Sequence, residues 1–307
     1  MTQYHASAII ILFFFFLGIG LAFYTNSAEE MPVYKADELY EEIKESKPTY
    51  EWEAKDATLD SVWKKTPGIN GRKVDVEASY EKMKENGEFD PKRLVFKTVS
   101  PKVTMEDLPI SPIYRGNPEK EMVSFLINVS WGEDYLPGMI KTLSEKNVKA
   151  NFFIDGAFAR DFTDLVQMID EEGHTIGSHG FGHKDMGRMS KQQAIVNLET
   201  ANEFLFALTK QKISYFAPPS GSFNSATVEA ADELGMETIL WTVDTIDWKK
   251  PTKDVLIERV TNKVHNGATI LMHPTQVTEN SLSALIDQIR EKGYRIGALP
   301  QLLSPER

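Results

Sequence analysis

Apolar and polar positions alternate in three distinct regimes along the chain. The first is an unbroken apolar run over 6–24, which includes Phe13 to Phe16 and no charged side chain. A run of that length suits a secretory signal or a short membrane span. Ser27 or Ala28 offers a small-residue cleavage site, and Glu29 and Glu30 follow. Only His5 and the amino terminus precede the run, so the usual Lys/Arg orientation signal is weak. The pattern predicts an export segment over 1–28 and an extracytoplasmic location for the rest. Cleavage of the segment and its retention as a membrane anchor over 6–24 both stay open.

The second regime is short and charged. Residues 36–46 read as a helix with Glu, Lys and Asp on its exposed faces. Thr66-Pro-Gly-Ile-Asn-Gly71 is a turn cluster. Residues 72–76 alternate like a strand, 77–84 read as a helix that Gly87 and Pro91 break, and 94–99 alternate again. Together with the proline-rich stretch 108–118, expected as an extended linker, this predicts a small α+β domain over 29–118.

From Glu119 onward, short apolar runs alternate with amphipathic stretches. Candidate strands cover 123–129, 150–154, 175–178, 213–216, 238–243, 268–272 and 294–298. Between them, 136–145 carries apolar residues at 136, 139, 140 and 143. Ser190 is placed to cap a helix running to about Thr209, and Asn224 another that Gly235 closes. This α/β alternation predicts a parallel sheet covered by helices, closed as a barrel or open and doubly wound.

In such folds the ligand site gathers at the C-terminal strand ends. Asn128 and Ser130 fall there, as do Asp155, His179 and His183, Pro218-Pro-Ser-Gly221, Asp244, Asp247 and Trp248, and His273. Of six histidines in the chain, three land on this one rim, from two separate runs. Gly180 and Gly182 make the segment between His179 and His183 a loop, free to turn both imidazoles inward. Paired neutral imidazoles are common zinc ligands, although the spacing alone also fits two exposed loop histidines. Composition narrows the chemistry. The chain has no cysteine, which excludes disulfides, thiolate metal sites and a cysteine nucleophile. Its formal net charge of −11 argues against nucleic acid and against acidic polymers as partners, and leaves a neutral substrate such as a glycan compatible.

The residues from Glu119 to the C-terminus resemble the polysaccharide deacetylases, the NodB-homology proteins of carbohydrate esterase family 4. The motif Gly-His-x-Ile-Gly-x-His-x-x-x-His is read from Gly173 to His183. Ala217-Pro-Pro-Ser-Gly-Ser-Phe-Asn224 is similar to the family's Arg-Pro-Pro-x-Gly-x-x-Asn. Asp244-Thr-Ile-Asp247-Trp248 and Leu271-Met-His273 match two further motifs. The resemblance implies a distorted (β/α)7-type barrel over 119–307 and removal of acetyl groups from N-acetylated glycan, peptidoglycan or chitin-like. It implies Zn2+ or another divalent metal on His179 and His183, His273 as general acid and Asp247 as the residue that orients it. Trp248, Leu271, Pro218, Pro219 and Ser220 would shape the substrate pocket.

The first family motif, Thr-Phe-Asp-Asp-Gly, is absent. The chain resembles a sporulation-type branch instead, aligned on Ser130-Trp131-Gly132. On that alignment the general-base aspartate becomes Asn128, a metal-ligand aspartate becomes Val129, and the arginine that pairs with the base becomes Ala217. An amide cannot take a proton from water, and two histidines are one ligand short of a usual catalytic zinc set. The expectation is a weak or absent metal and weak or lost hydrolysis, a pseudoenzyme. Two alternatives stay open. One is a working deacetylase with a relocated carboxylate, Asp155, Glu133 or Asp134, each of which also fits a solvated loop acid. The other is a non-catalytic envelope or glycan-binding protein.

Overall fold

A computed structural model describes residues 38–307, which divide into two compact units. The apolar run 6–24 and the sites at Ser27 and Ala28 lie outside the described residues. Among the described residues no helix is long and apolar enough to cross a membrane.

The smaller unit comprises residues 38–50 and 74–96. Helix Glu38–Tyr50 and helix Val76–Met83 carry its core: Leu39, Tyr40, Ile43, Val76, Tyr80 and Met83 are buried together with Leu94. Asp75 caps the second helix by accepting from the Ala78 N–H. Tyr40 and Tyr80 meet edge to face with ring centroids 5.9 Å apart.

The larger unit comprises 51–73 and 97–307 and is built on an eight-stranded sheet. The strands are β1 (Met122–Val129), β2 (Asn151–Ile154), β3 (Thr175–Ser178), β4 (Tyr215–Phe216), β5 (Glu237–Thr238), β6 (Val243–Asp244), β7 (Thr269–Met272) and β8 (Arg295–Ile296). Their order is β6-β7-β1-β2-β3-β4-β5, with β8 added to the start of β1, and every pairing is parallel. Helices α1 (Leu136–Glu145), α2 (Gly156–Asp161), α3 (Thr163–Glu171), α4 (Lys191–Thr209), α5 (Ser225–Glu233), α6 (Lys253–Thr261), α7 (Gln276–Glu291) and α8 (Leu299–Leu303) connect and cover them.

Strand β1 shows why the sheet curls around a second core. All eight of its residues are buried, so both faces are covered. Val123, Phe125, Ile127 and Val129 belong to the layer shared with the helices. Met122 and Leu126 instead join Ile113, Phe153, Ala217 and Ile239 inside the curl, with Leu299 and Leu302 of α8. The period of two sorts the two cores. The helix caps expected at Ser190 and Asn224 are present: Ser190 and Gln193 bond reciprocally as a capping box, and Asn224 accepts from the Thr227 N–H.

The run 238–243, expected as one strand, is two. Ile113 intervenes: its N–H donates to the Thr238 carbonyl, and the Leu240 N–H donates to the Ile113 carbonyl, both at 2.8 Å. By Thr242 the chain has switched to bonding the Thr269 carbonyl. The two strands therefore serve opposite ends of the sheet order, and the curl is not closed by a β5–β6 pairing. The proline-rich segment expected as a linker thus carries barrel contacts, with Ile113 fully enclosed and Arg115 bridged to Ala268.

Candidate functional site

The C-terminal ends of β1, β3, β6 and β7, with the β4–α5 turn, surround a cavity of about 390 Å³. Asn128, His183, Leu271 and His273 line it, with Ser220 and Asp244 and three indoles, Trp131, Trp241 and Trp248. Trp131 and Trp248 are 44% and 53% exposed, unusually open for such large apolar side chains.

The β1 loop brings Trp131 into place. Gly132 adopts a φ of +88°, and a Cβ there would stand 2.0 Å from the Pro274 carbonyl oxygen, so only glycine permits this approach. Trp131 consequently lies parallel to the His273 ring, 5.9 Å between centroids and 10° between planes.

His273 leaves β7 directly onto Asp247. The imidazole Nδ1 lies 2.8 Å from Asp247 Oδ1, the His273 backbone N–H donates to Oδ2 at 2.6 Å, and the Thr278 hydroxyl donates to Oδ2 at 2.8 Å. Asp247 is wholly buried. Burial alone would raise its carboxyl, but the His273 side chain and N–H and the Thr278 hydroxyl outweigh it and hold the group below the usual carboxylate range. The arrangement leaves His273 Nε2 as the ring nitrogen not engaged by Asp247.

His179 sits behind the cavity, 1% exposed. Its Nδ1 bonds the Ala217 carbonyl at 2.7 Å, so the N–H is there and Nε2 carries the lone pair. Burial, then the neighbouring His183 ring, push its pKa down to about 3, which keeps it neutral at neutral pH. The two imidazoles lie 5.4 Å apart between centroids. The loop between them turns through left-handed backbone at Gly180, Gly182 and His183, with φ of +68°, +76° and +49°. Asn197 on α4 grips it from one side, exchanging hydrogen bonds with both the N–H and the carbonyl of Phe181.

Asp155 grips the loop from the other side. Its Oδ1 accepts from the Ala157 and Gly182 N–H groups and its Oδ2 from the His183 N–H at 2.7 Å. At 2% exposure it is not a solvated loop acid, and both of its oxygens are engaged by backbone N–H groups. It caps α2 and tethers His183. Glu133 and Asp134 do not line the cavity. Val129 packs in the helix-side core, facing away from it. Among the described residues no group of three or more His, Asp or Glu side chains could hold a metal.

Asn128 is 4% exposed, and its Oδ1 has no hydrogen-bond partner. Ala217 is enclosed in the inner core, its N–H on the Ser178 carbonyl and its carbonyl on His179. Pro218 and Pro219 shape the turn but do not line the cavity, whereas Ser220, at a φ of +57°, does. Sequence reasoning missed three contributors. Trp241 lay inside what read as core strand, and Thr278 and Asn197 lie on helices without a local signal of their role.

Residues 115–239 match the family model described as polysaccharide deacetylase. The Bacillus subtilis protein YlxY is 47% identical over 271 residues, 88% of this chain and 85% of its own. The B. subtilis peptidoglycan-N-acetylmuramic acid deacetylase PdaA is 28% identical over 62% of this chain and 74% of its own. Among solved structures, a carbohydrate esterase family 4 pseudoenzyme from Bacillus anthracis superposes with a TM-score of 0.82 at 46% identity, covering 88% of this chain and 96% of that one. A mutant of that pseudoenzyme with restored enzymatic activity matches at 45% identity and the same TM-score, covering 88% and 99%.

Proposed function

Because this chain belongs to the polysaccharide deacetylases of carbohydrate esterase family 4, we propose that it is an exported protein that holds N-acetylated peptidoglycan glycan in the rim cavity and hydrolyses the acetamido group weakly or not at all. The observation that carries this reading is Asn128. A buried amide with an unpartnered Oδ1 stands at the position a general base would need, and it lines the cavity. An amide oxygen accepts a hydrogen bond but not a proton at neutral pH. It therefore fails at activating water. Loss of a general base costs roughly 10²–10⁴-fold in rate.

The family's deacetylases are metal-dependent, and the donor set here fits a catalytic zinc poorly. His179 Nε2 and His183 supply two imidazoles, where a catalytic zinc usually has three protein ligands. The carboxylate weighed as a third ligand, Asp155, is committed to backbone N–H groups. This weighs against the reading in which Asp155 restores hydrolysis, and we assign the metal no step in this chain. The acid half is intact in geometry: His273 is oriented by Asp247, and Trp131, Trp248 and Leu271 wall the cavity with apolar surface of the kind that stacks on sugar rings.

The test is acetate release from N-acetylglucosamine tetramer and from peptidoglycan, with Zn2+ added, by the full chain and by Asn128→Asp and Asn128→Asp/Ala217→Arg. The wild type should turn over at least about 100-fold more slowly than the better variant. Wild-type turnover equal to that of the variants would end the proposal. Binding of the tetramer, read from tryptophan fluorescence, should survive in the wild type and fall in Trp248→Ala.

A further inference from the structure

A second cavity, of about 600 Å³, lies on the far side of Trp131 and Trp248. The two indoles line both cavities, so one polymer strand crossing the wall would enter each. The chemistry changes across it. Where the first cavity has Asn128 and the histidines, the second has Lys250 and Lys253, with Tyr135, Gln276 and Asn280. Lys249 adds a third cation beside it, its Nζ 4.8 Å from the Trp248 ring centroid. Lys250 and Lys253 are exposed, and among the described residues neither ammonium is paired with a carboxylate. The carboxylate that does reach this cavity, Asp247, is buried and engaged by His273 and Thr278. In a chain of formal net charge −11, this is a local field of the opposite sign.

We propose that the second cavity takes a carboxylate carried by the glycan whose acetamido group occupies the first. Recognition of that carboxylate would set the muramic acid residues of the strand apart from its neutral N-acetylglucosamine residues. This rests on the reading that the rim cavity holds glycan. The carboxylate has two sources on such a strand: the lactyl group of muramic acid and the peptide stem attached to it.

The experiment measures tryptophan-fluorescence binding of the full chain to three probes at low and high salt. They are the N-acetylglucosamine tetramer, a tetrasaccharide of alternating N-acetylglucosamine and N-acetylmuramic acid with free lactyl carboxylates, and the same tetrasaccharide bearing stem peptides. The wild type should bind a carboxylate-bearing probe about fivefold more tightly than the neutral tetramer, the scale of a solvent-facing charge contact. High salt should shrink that preference. Lys250→Gln/Lys253→Gln should abolish it while leaving tetramer affinity unchanged. Preference for the peptide-free probe identifies the lactyl group; preference confined to the peptide-bearing probe identifies the stem. Equal affinity for all three overturns the inference and leaves the glycan reading standing. A preference that persists in the double variant overturns its assignment to this cavity. Failure to bind any probe overturns both.

Discussion

Asp155→Ala separates a tether from a metal ligand. The carboxylate makes three hydrogen bonds to backbone N–H groups: one caps α2, and two hold Gly182 and His183. The cap contributes about 1 kcal/mol. The other two bonds join a charged acceptor to amides on an exposed loop, where water replaces part of what is lost, about 1 kcal/mol apiece. His183 also holds a left-handed φ of +49°, a conformation that costs a non-glycine residue about 1–2 kcal/mol and is held in place by that carboxylate. Removing the side chain should therefore cost about 2–4 kcal/mol, less whatever strain the loop sheds as it relaxes. The assay is urea unfolding with EDTA present, followed by tryptophan fluorescence and circular dichroism. A tether acts without metal, so the full loss should appear under chelation. A ligand carboxylate acts through the metal, and in EDTA its removal should change stability by less than about 0.5 kcal/mol. That second result would refute the geometry argued here and revive Asp155 as a relocated catalytic group.

Two further outcomes follow from buried or crowded positions. His174 is 4% exposed, and burial, then Lys149, push its pKa down to about 4. The unfolded chain binds its proton with an ordinary pKa near 6.5, so the stability associated with neutral His174 is complete above that value and falls as pH drops toward 4, by about 2 kcal/mol at pH 5. Comparing urea midpoints at pH 7.5 and 5 should show a shallower acid loss in His174→Gln; a slope equal to wild type would count against the assignment. Gly132→Ala should cost about 2–3 kcal/mol, because the new Cβ meets the Pro274 carbonyl oxygen on a backbone at φ +88°. It should also weaken N-acetylglucosamine tetramer binding by lifting Trp131 off His273, and unchanged stability and binding would show that the loop adapts freely.

How much of this was legible before the fold depends on whether the signal was local. The run 123–129 is a strand because its own apolar residues require burial on both faces, and the Ser190 and Asn224 caps are written in the residues that make them. The motif residues His179, His183 and His273 gather at one rim because parallel strand ends must. What failed was non-local. The break in 238–243 is imposed by Ile113, more than a hundred residues away, and nothing in the apolar run 238–243 itself marks it. Asp155 looked like a free acid because its partners are backbone amides, which the sequence does not display. The acidic net charge is a whole-chain sum and does not display the lysines that line the cavity beside Trp248.

The two halves of the rim respond differently to loss, and this bears on how the intact half should be read. Asp247 is a buried carboxylate with three donors on it, two of them from His273. Breaking one partner of such a set leaves uncompensated charge or orphaned donors in the interior, at a cost of about 3–5 kcal/mol. The His273–Asp247–Thr278 group is therefore held by folding stability whether or not anything is hydrolysed, and its good geometry is no argument for turnover. The opposite side carries no such obligation. With Asn128 neutral and Ala217 apolar, no charge at either position requires a partner, and the residual defect is one buried, unpartnered amide oxygen. Restoring a carboxylate at 128 without a cation near 217 would place an uncompensated charge at a position only 4% exposed, so base and guanidinium form one stability unit. Catalytic competence has to be judged on that unit, at Asn128 and Ala217, and not on the acid pair across the cavity.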